Sequence, residues 1–439
     1  MQVKKYEQFN ESCFQTKLSN GLTVTMLPKA GFHKTYATFT TNYGSIDNTF
    51  VPAGGDELHR FPDGIAHFLE HKMFEKADHD AFQTFGEYGA SANAFTSFTK
   101  TSYLFSATRN LKENLETLLD FVQDPYFTTQ TVEKEKGIIG QEIEMYNDDP
   151  SWRLYFGMIG NLYPNHPLQY DIAGTTQSIA KITAEDLYAA YRTFYHPENM
   201  TLFIVGKLDP DEVLSWIEAN QSAKTFADFK PIERKIPATA EDGHDIIPYR
   251  TIEMPVSRAK SIVGVKGLQP ITAGMPALKY RAAVNVLLEM LFGDTSQNYL
   301  RLYDAGVIDD TFGYDFELQS GFNFLTFSGE SDDPAKFDAA VIDVLENWQT
   351  AITGQEDLLA LVKKEMIGRV VFMTNSLEAI ANRYDQRLFG SVTLFDEPEV
   401  LNQLTLADVE SVAGQLLKSQ AISEYQIRPQ AEELKKSEN

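Results

Sequence analysis

A chain of 439 residues, 43% hydrophobic and 23% charged, is too long for one typical core and belongs with globular proteins of two or more domains. Its 38 basic against 62 acidic residues leave a formal charge of −24, which argues against nucleic acid as a partner because phosphates would be repelled. No apolar run reaches the length of a membrane span, the polar opening Met1–Glu11 has no secretory h-region, and the lone Cys13 excludes an intramolecular disulfide, so a cytoplasmic protein without membrane contact is expected.

In chain order, Thr35–Thr41 reads as a strand, and the turn-rich Asp56–Arg60, preceded by Gly54 and Gly55, reads as a loop. The stretch His67-Phe68-Leu69-Glu70-His71 then places two imidazoles and a carboxylate on one face of a helical turn. Helical residues advance by about 100°, so His71 lies about 40° from His67 and Glu70 about 60° to the other side. Two neutral imidazole nitrogens at this spacing can grip one zinc ion, and the carboxylate can take a proton from zinc-bound water. This order inverts the commoner His-Glu-x-x-His. His59 and His79 have no helical register with the pair and read as surface residues.

Asn110–Gln123 follows as an amphipathic helix, and Glu133–Tyr146 as another. Projection of the latter puts Glu135, Ile138, Ile139, Glu142 and Tyr146 on one stripe, with Glu133 and Glu144 turned away. Carboxylates within an apolar stripe are costly to bury unpaired, and a cation would relieve that cost. Glu142 is therefore the expected third ligand, with Glu135 as a supporting carboxylate. Without the histidine motif, this helix is equally consistent with a buried salt bridge. Asp148-Asp149-Pro150 is expected to end it. Thr183–Phe194 reads as a further helix and Met200–Gly206 as a further strand.

These motifs closely resemble the insulinase/pitrilysin zinc metallopeptidases, and among them the bacterial two-domain members related to the mitochondrial processing peptidase. The resemblance is carried by His67-x-x-Glu70-His71 followed by Lys-Glu-Lys-Gly-Ile-Ile-Gly-Gln-Glu142-Ile. It extends to Leu18-Ser-Asn-Gly-Leu-Thr-Val, Tyr43-Gly-Ser-Ile-Asp and Asn93-Ala-Phe-Thr-Ser-Phe-Thr-Lys-Thr-Ser-Tyr, and covers most of residues 15–210. It implies a zinc endopeptidase with Zn2+ on His67, His71 and Glu142, Glu70 as general base and Glu135 as assisting glutamate. Asn93, Ala94 and Phe95 would form the edge strand on which a substrate peptide lies.

The second half looks like a copy of the first. At an offset of 218, His67 falls on Asn285, Glu70 on Leu288 and His71 on Glu289, and Ile182–Tyr191 echoes Leu404–Ala413 at an offset of 222. The copy has lost every metal group. Pro231, Pro237, Gly243 and Pro248 mark a linker near 226–245, giving a zinc-bearing domain over 1–225 and a related domain without ligands over 246–439. The expected fold is α+β: two duplicated insulinase-type domains, each a mixed β-sheet with helices packed on it. The tail from Gln430 to Asn439 is charged and expected to fray.

Three ligands leave an open zinc position for water; Glu70 removes its proton and later protonates the leaving amine. The resemblance also implies an arginine and, seven residues on, a tyrosine in the second half that hold the substrate. Here Ile308 stands seven residues after Arg301, so the pair is not intact, and Tyr303, Tyr314 or Arg301 would substitute or a partner subunit would supply it. A peptide substrate is expected, and either a homodimer or a heterodimer with a related zinc-free subunit. The alternative reading is an inactive or partner-dependent peptide-binding subunit.

Overall fold

The alternating and β-branched residues of Thr35–Thr41 and Met200–Gly206 form strands of those bounds in the computed structural model of the chain, which describes residues 1–238, 240 and 242–430. The charged tail from Ala431 onward lies outside the described residues. Helices begin and end where side chains can satisfy their open backbone groups. Thr183 and Asp186 form a reciprocal cap on helix Ala184–Phe194, and Asp149 both ends the Thr129–Asp148 helix and caps Pro150–Leu162.

Backbone contacts group the chain in two units. The first comprises 1–143, 171–236 and 373–386, and its sheet has seven strands. Their spatial order is Gln2–Tyr6, Glu11–Lys17, Thr23–Pro28, Met200–Gly206, Thr35–Thr41, Thr101–Ala107 and Ser91–Thr96. Thr23–Pro28 runs parallel to Met200–Gly206 and the other neighbours are antiparallel, so the sheet is mixed. Met200–Gly206 is buried at every residue, as a central strand covered on both faces must be. Helix Leu111–Gln123 packs on Thr101–Ala107, while helix Leu377–Asn382 packs on Thr35–Thr41 and Met200–Gly206. Tyr384, just after that helix, stacks on Phe203 with ring centroids 4.6 Å apart.

The second unit comprises 144–170, 237–372 and 387 onward. Its five strands stand in the order Tyr249–Met254, Ile422–Pro429, Ala259–Lys266, Phe322–Ser331 and Gly313–Gln319. The first pair is parallel and the rest antiparallel, repeating the last five strands of the first sheet. Even the register repeats: Ser91 faces Ser106 and Gly313 faces Ser328, both 222 residues later. Thr405 and Asp408 repeat the Thr183–Asp186 cap at the same offset. The duplication inferred from two short echoes thus extends through both sheets. Helix Pro150–Leu162 packs on strands Ala259–Lys266 and Ile422–Pro429 of this unit. Its Gly157 is required there, because a Cβ would stand 2.3 Å from the Tyr425 ring.

Candidate metal centre

The histidine motif lies on helix Ile65–Met73, which Gly64 begins with φ 91°. A side chain at Gly64 would meet the Ala173 carbonyl at 2.4 Å, so this glycine allows the helix end to seat closely. Every residue of the helix except His71 is buried, so its polar groups need partners. Those of His71 and Glu70 come from helix Thr129–Asp148 and strand Ser91–Thr96, and Lys72 pairs with Glu75.

On helix Thr129–Asp148 the buried positions are Val132, Glu135, Ile139 and Ile143, with Glu142 half-buried beside them and Glu133 and Glu144 exposed. Ile138 is 47% exposed, which corrects its expected place in the apolar stripe. The stripe advances in steps of three and four residues and drifts towards Ile143, leaving Ile138 at its outer margin.

Glu142 bridges the two imidazoles. Its Oε1 lies 3.6 Å from His67 Nε2 and its Oε2 3.6 Å from His71 Nε2. One donor atom from each of the three residues lies within 4.8 Å of the others, the one such group of His, Cys, Asp or Glu among the described residues. Donors held 2.0–2.2 Å from a tetrahedral zinc ion stand roughly 3.4 Å apart. The spacing and the two-nitrogen, one-oxygen donor set fit that ion. Glu135 stands outside this group: its Oε1 is 3.1 Å from His71 Nδ1, on the ring edge away from Glu142. That contact fixes Nδ1 as the protonated nitrogen and leaves Nε2 free to ligate.

Electrostatics agree with a cation-seeking site. Burial, followed by the charge of His71, pulls His67 down to about 3, so it is a neutral imidazole near pH 7. Burial would also lower His71, but the Glu135 hydrogen bond and the charges of Glu70, Glu142 and Glu135 outweigh it and raise the pKa. Carboxylates that favour a proton on His71 would equally favour a metal ion in its place. Glu70 is raised chiefly by burial, against a lowering contribution from the Thr96 hydrogen bond.

Thr96 was not singled out from the sequence, although it directly follows Asn93-Ala94-Phe95. Its Oγ1 donates to Glu70 Oε2 at 2.7 Å. Asn93, Ala94 and Phe95 lie on strand Ser91–Thr96, which pairs on one side with Thr101–Ala107 and ends the sheet order, so among the described residues its other edge pairs with no strand. Lys72 was also missed. It is fully buried and ion-pairs with Glu75, with Glu135 Oε2 at 3.9 Å.

The counterpart in the second unit is an ion pair. Glu289, which aligns with His71, accepts two hydrogen bonds from the Arg369 guanidinium at 2.9 and 3.0 Å and one from the Tyr314 hydroxyl at 3.1 Å. Arg301 instead approaches Asp343 at 3.9 Å, the Tyr303 hydroxyl donates to Asp310, and Ile308 is buried.

Comparison with known proteins places these observations among relatives. A family model described as insulinase (peptidase family M16) matches residues 51–176, and one described as the peptidase M16 inactive domain matches 181–366. An uncharacterized zinc protease of Bacillus subtilis, YmfH, is 48% identical over 427 residues, covering 97% of this chain and 99% of the relative. A crystal structure of an M16-like peptidase from Alicyclobacillus acidocaldarius superimposes with a TM-score of 0.90 at 35% identity, over 96% of this chain and 99% of that one. A protease from Helicobacter pylori shares the fold, with a TM-score of 0.81 at 19% identity over 95% of this chain and 99% of its own.

Proposed function

Because the chain belongs to the insulinase family of peptidases, M16, we propose that it is a zinc-dependent endopeptidase that hydrolyses unstructured peptides. The observation that carries this reading is the convergence of His67, His71 and Glu142 beside the buried carboxylate of Glu70. These three residues would hold Zn2+. When bound, the ion supplies a Lewis acid that acidifies water and polarises the scissile carbonyl.

The chain's own residues do the rest. Glu70 takes a proton from the attacking water and returns it to the leaving amine, a role that suits a carboxylate whose pKa burial has raised. Thr96 holds that carboxylate by one oxygen, leaving the other for the proton. Glu135 orients His71 through Nδ1. The open edge at Asn93, Ala94 and Phe95 would receive the substrate main chain as an added strand, which requires an extended peptide.

One observation favours a partner-dependent form of this activity. Arg301 is directed to Asp343 and Ile308 is buried, so this arginine and the residue seven places on form no substrate-holding pair. A second related chain, either another copy or a zinc-free relative, would supply that surface.

Incubation with a library of unstructured peptides, alone and with a co-expressed relative, tests the proposal. Cleavage abolished by a zinc chelator and restored by Zn2+, with stably folded domains spared, is the expected result. Chelator-insensitive cleavage, or digestion of folded domains under native conditions, would contradict it.

A further inference from the structure

We propose that Asp63 is a positioning residue of this centre: it anchors the amino end of helix Ile65–Met73, so that the backbone presents His67 to the metal. The inference rests on the zinc reading above.

The two histidines are oriented by different means. His71 is held at Nδ1 by Glu135, whereas Nδ1 of His67 is buried and meets no hydrogen-bond partner among the described residues. A metal-ligating imidazole is ordinarily steered through its second nitrogen. For His67 that task falls to the helix itself, which begins only two residues earlier, at Ile65. Any slide or turn of that end moves the ring directly.

Asp63 is gripped from two sides. Its carboxylate accepts a 2.8 Å hydrogen bond from the buried Asn48 amide and two of 3.1 Å from the Arg60 guanidinium. Its carbonyl oxygen accepts one of 2.8 Å from the Ser178 hydroxyl. A side chain at Gly174, whose φ is 77°, would stand 2.4 Å from that same oxygen. Gly174 therefore closes on Asp63 as Gly64 closes on the Ala173 carbonyl.

The second copy shows that the fold does not require this arrangement. At the offset of 218, Asp63 and Gly64 fall on Arg281 and Ala282, inside the unbroken helix Met275–Phe292. Where the metal groups are lost, the helix runs on through these positions. Where they are present, it is cut short and anchored.

Co2+ uptake by the full-length protein, followed by visible absorption in competition with a chelator, provides the test, because it reads metal affinity without peptide cleavage. Asp63→Ala releases the carboxylate grip and should weaken Co2+ binding about 10- to 100-fold in protein that keeps the parent circular dichroism. Asp63→Asn retains an oxygen for the Asn48 amide and should stay near the parent. Ser178→Ala loosens the grip on the carbonyl and should weaken binding in the same direction as Asp63→Ala. A role confined to stability would lower the urea midpoints and leave the affinity of folded protein unchanged. Parent-like Co2+ affinity in folded Asp63→Ala or Ser178→Ala would therefore overturn the proposal and leave the metal centre standing. So would an Asp63→Asn protein as weak as Asp63→Ala. Failure of both Asp63→Ala and Ser178→Ala to fold would make the anchor structural and overturn it too. A parent chain that takes up no Co2+ would remove the zinc reading itself.

Discussion

The Thr96 hydroxyl donates a 2.7 Å hydrogen bond to Glu70 Oε2, tying the open edge of the first sheet to the carboxylate of the histidine helix. The strand proposed to receive substrate therefore also orients the proposed proton acceptor. A hydrogen bond to a charged group contributes about 1.5–3 kcal/mol, so losing it should slow a step that depends on that orientation roughly 10- to 100-fold. Thr96→Val should lower kcat by that factor with zinc content unchanged, whereas Thr96→Ser should stay near the parent. Steady-state kinetics on an unstructured peptide, with metal analysis of the same samples, checks this. An unaltered kcat in Thr96→Val would remove the coupling.

Much of this is legible in the sequence. Thr35–Thr41 and Met200–Gly206 are long β-rich runs, and their strands have the expected bounds. Asn110–Gln123 and Thr183–Phe194 form helices to within a residue of the expected bounds, since amphipathic periodicity is a local signal. The duplication was visible in two echoes because the same helices serve the same sheet face twice. What remained hidden depends on distant partners. Helix Pro150–Leu162 joins the second sheet because Gly157 lies against Tyr425, and no local pattern announces that contact. Segment 373–386 joins the first unit for the same kind of reason. At the site, the histidine helix and the Glu142 helix followed from spacing alone. Thr96 and Lys72 did not, because their importance lies in what they touch across the fold. Ile138 was misplaced because a helical stripe drifts over two turns.

Tyr384 fastens that late segment to the first sheet. Its ring stacks on Phe203, and its hydroxyl lies 3.0 Å from both Thr25 Oγ1 and Gln15 Nε2. Truncation of a buried aromatic costs about 3–5 kcal/mol, and loss of a hydroxyl alone about 1 kcal/mol. Tyr384→Ala should therefore unfold at a much lower urea concentration than the parent, with Tyr384→Phe between them. A parent-like midpoint in Tyr384→Ala would show that the segment is not held there.

His166 should make the fold acid-sensitive. Burial first, and the charge of Lys266 second, hold it down to about 4, below the ordinary value of 6.5. The folded state thus prefers neutral His166. Its stability contribution is complete above about 6.5 and is lost as pH falls from there towards 4, by up to about 3 kcal/mol. Asparagine can accept the Leu168 N–H bond that His166 Nδ1 now accepts, without taking up a proton. His166→Asn should therefore lose less stability than the parent between pH 6.5 and 4 in urea titrations. Parallel losses in the two proteins would contradict this assignment.

The central claim separates metal binding from proton transfer, and zinc stoichiometry tests it most directly. Purified full-length parent and Glu70→Gln should each hold close to one zinc per chain, because Glu70 is not among the three converging donors. His67→Ala, His71→Ala and Glu142→Gln should each lose it. Glu70→Gln should lose peptide hydrolysis all the same, since only the proton acceptor is gone. A Glu142→Gln protein with the zinc content of the parent, or a Glu70→Gln protein without zinc, would contradict the account.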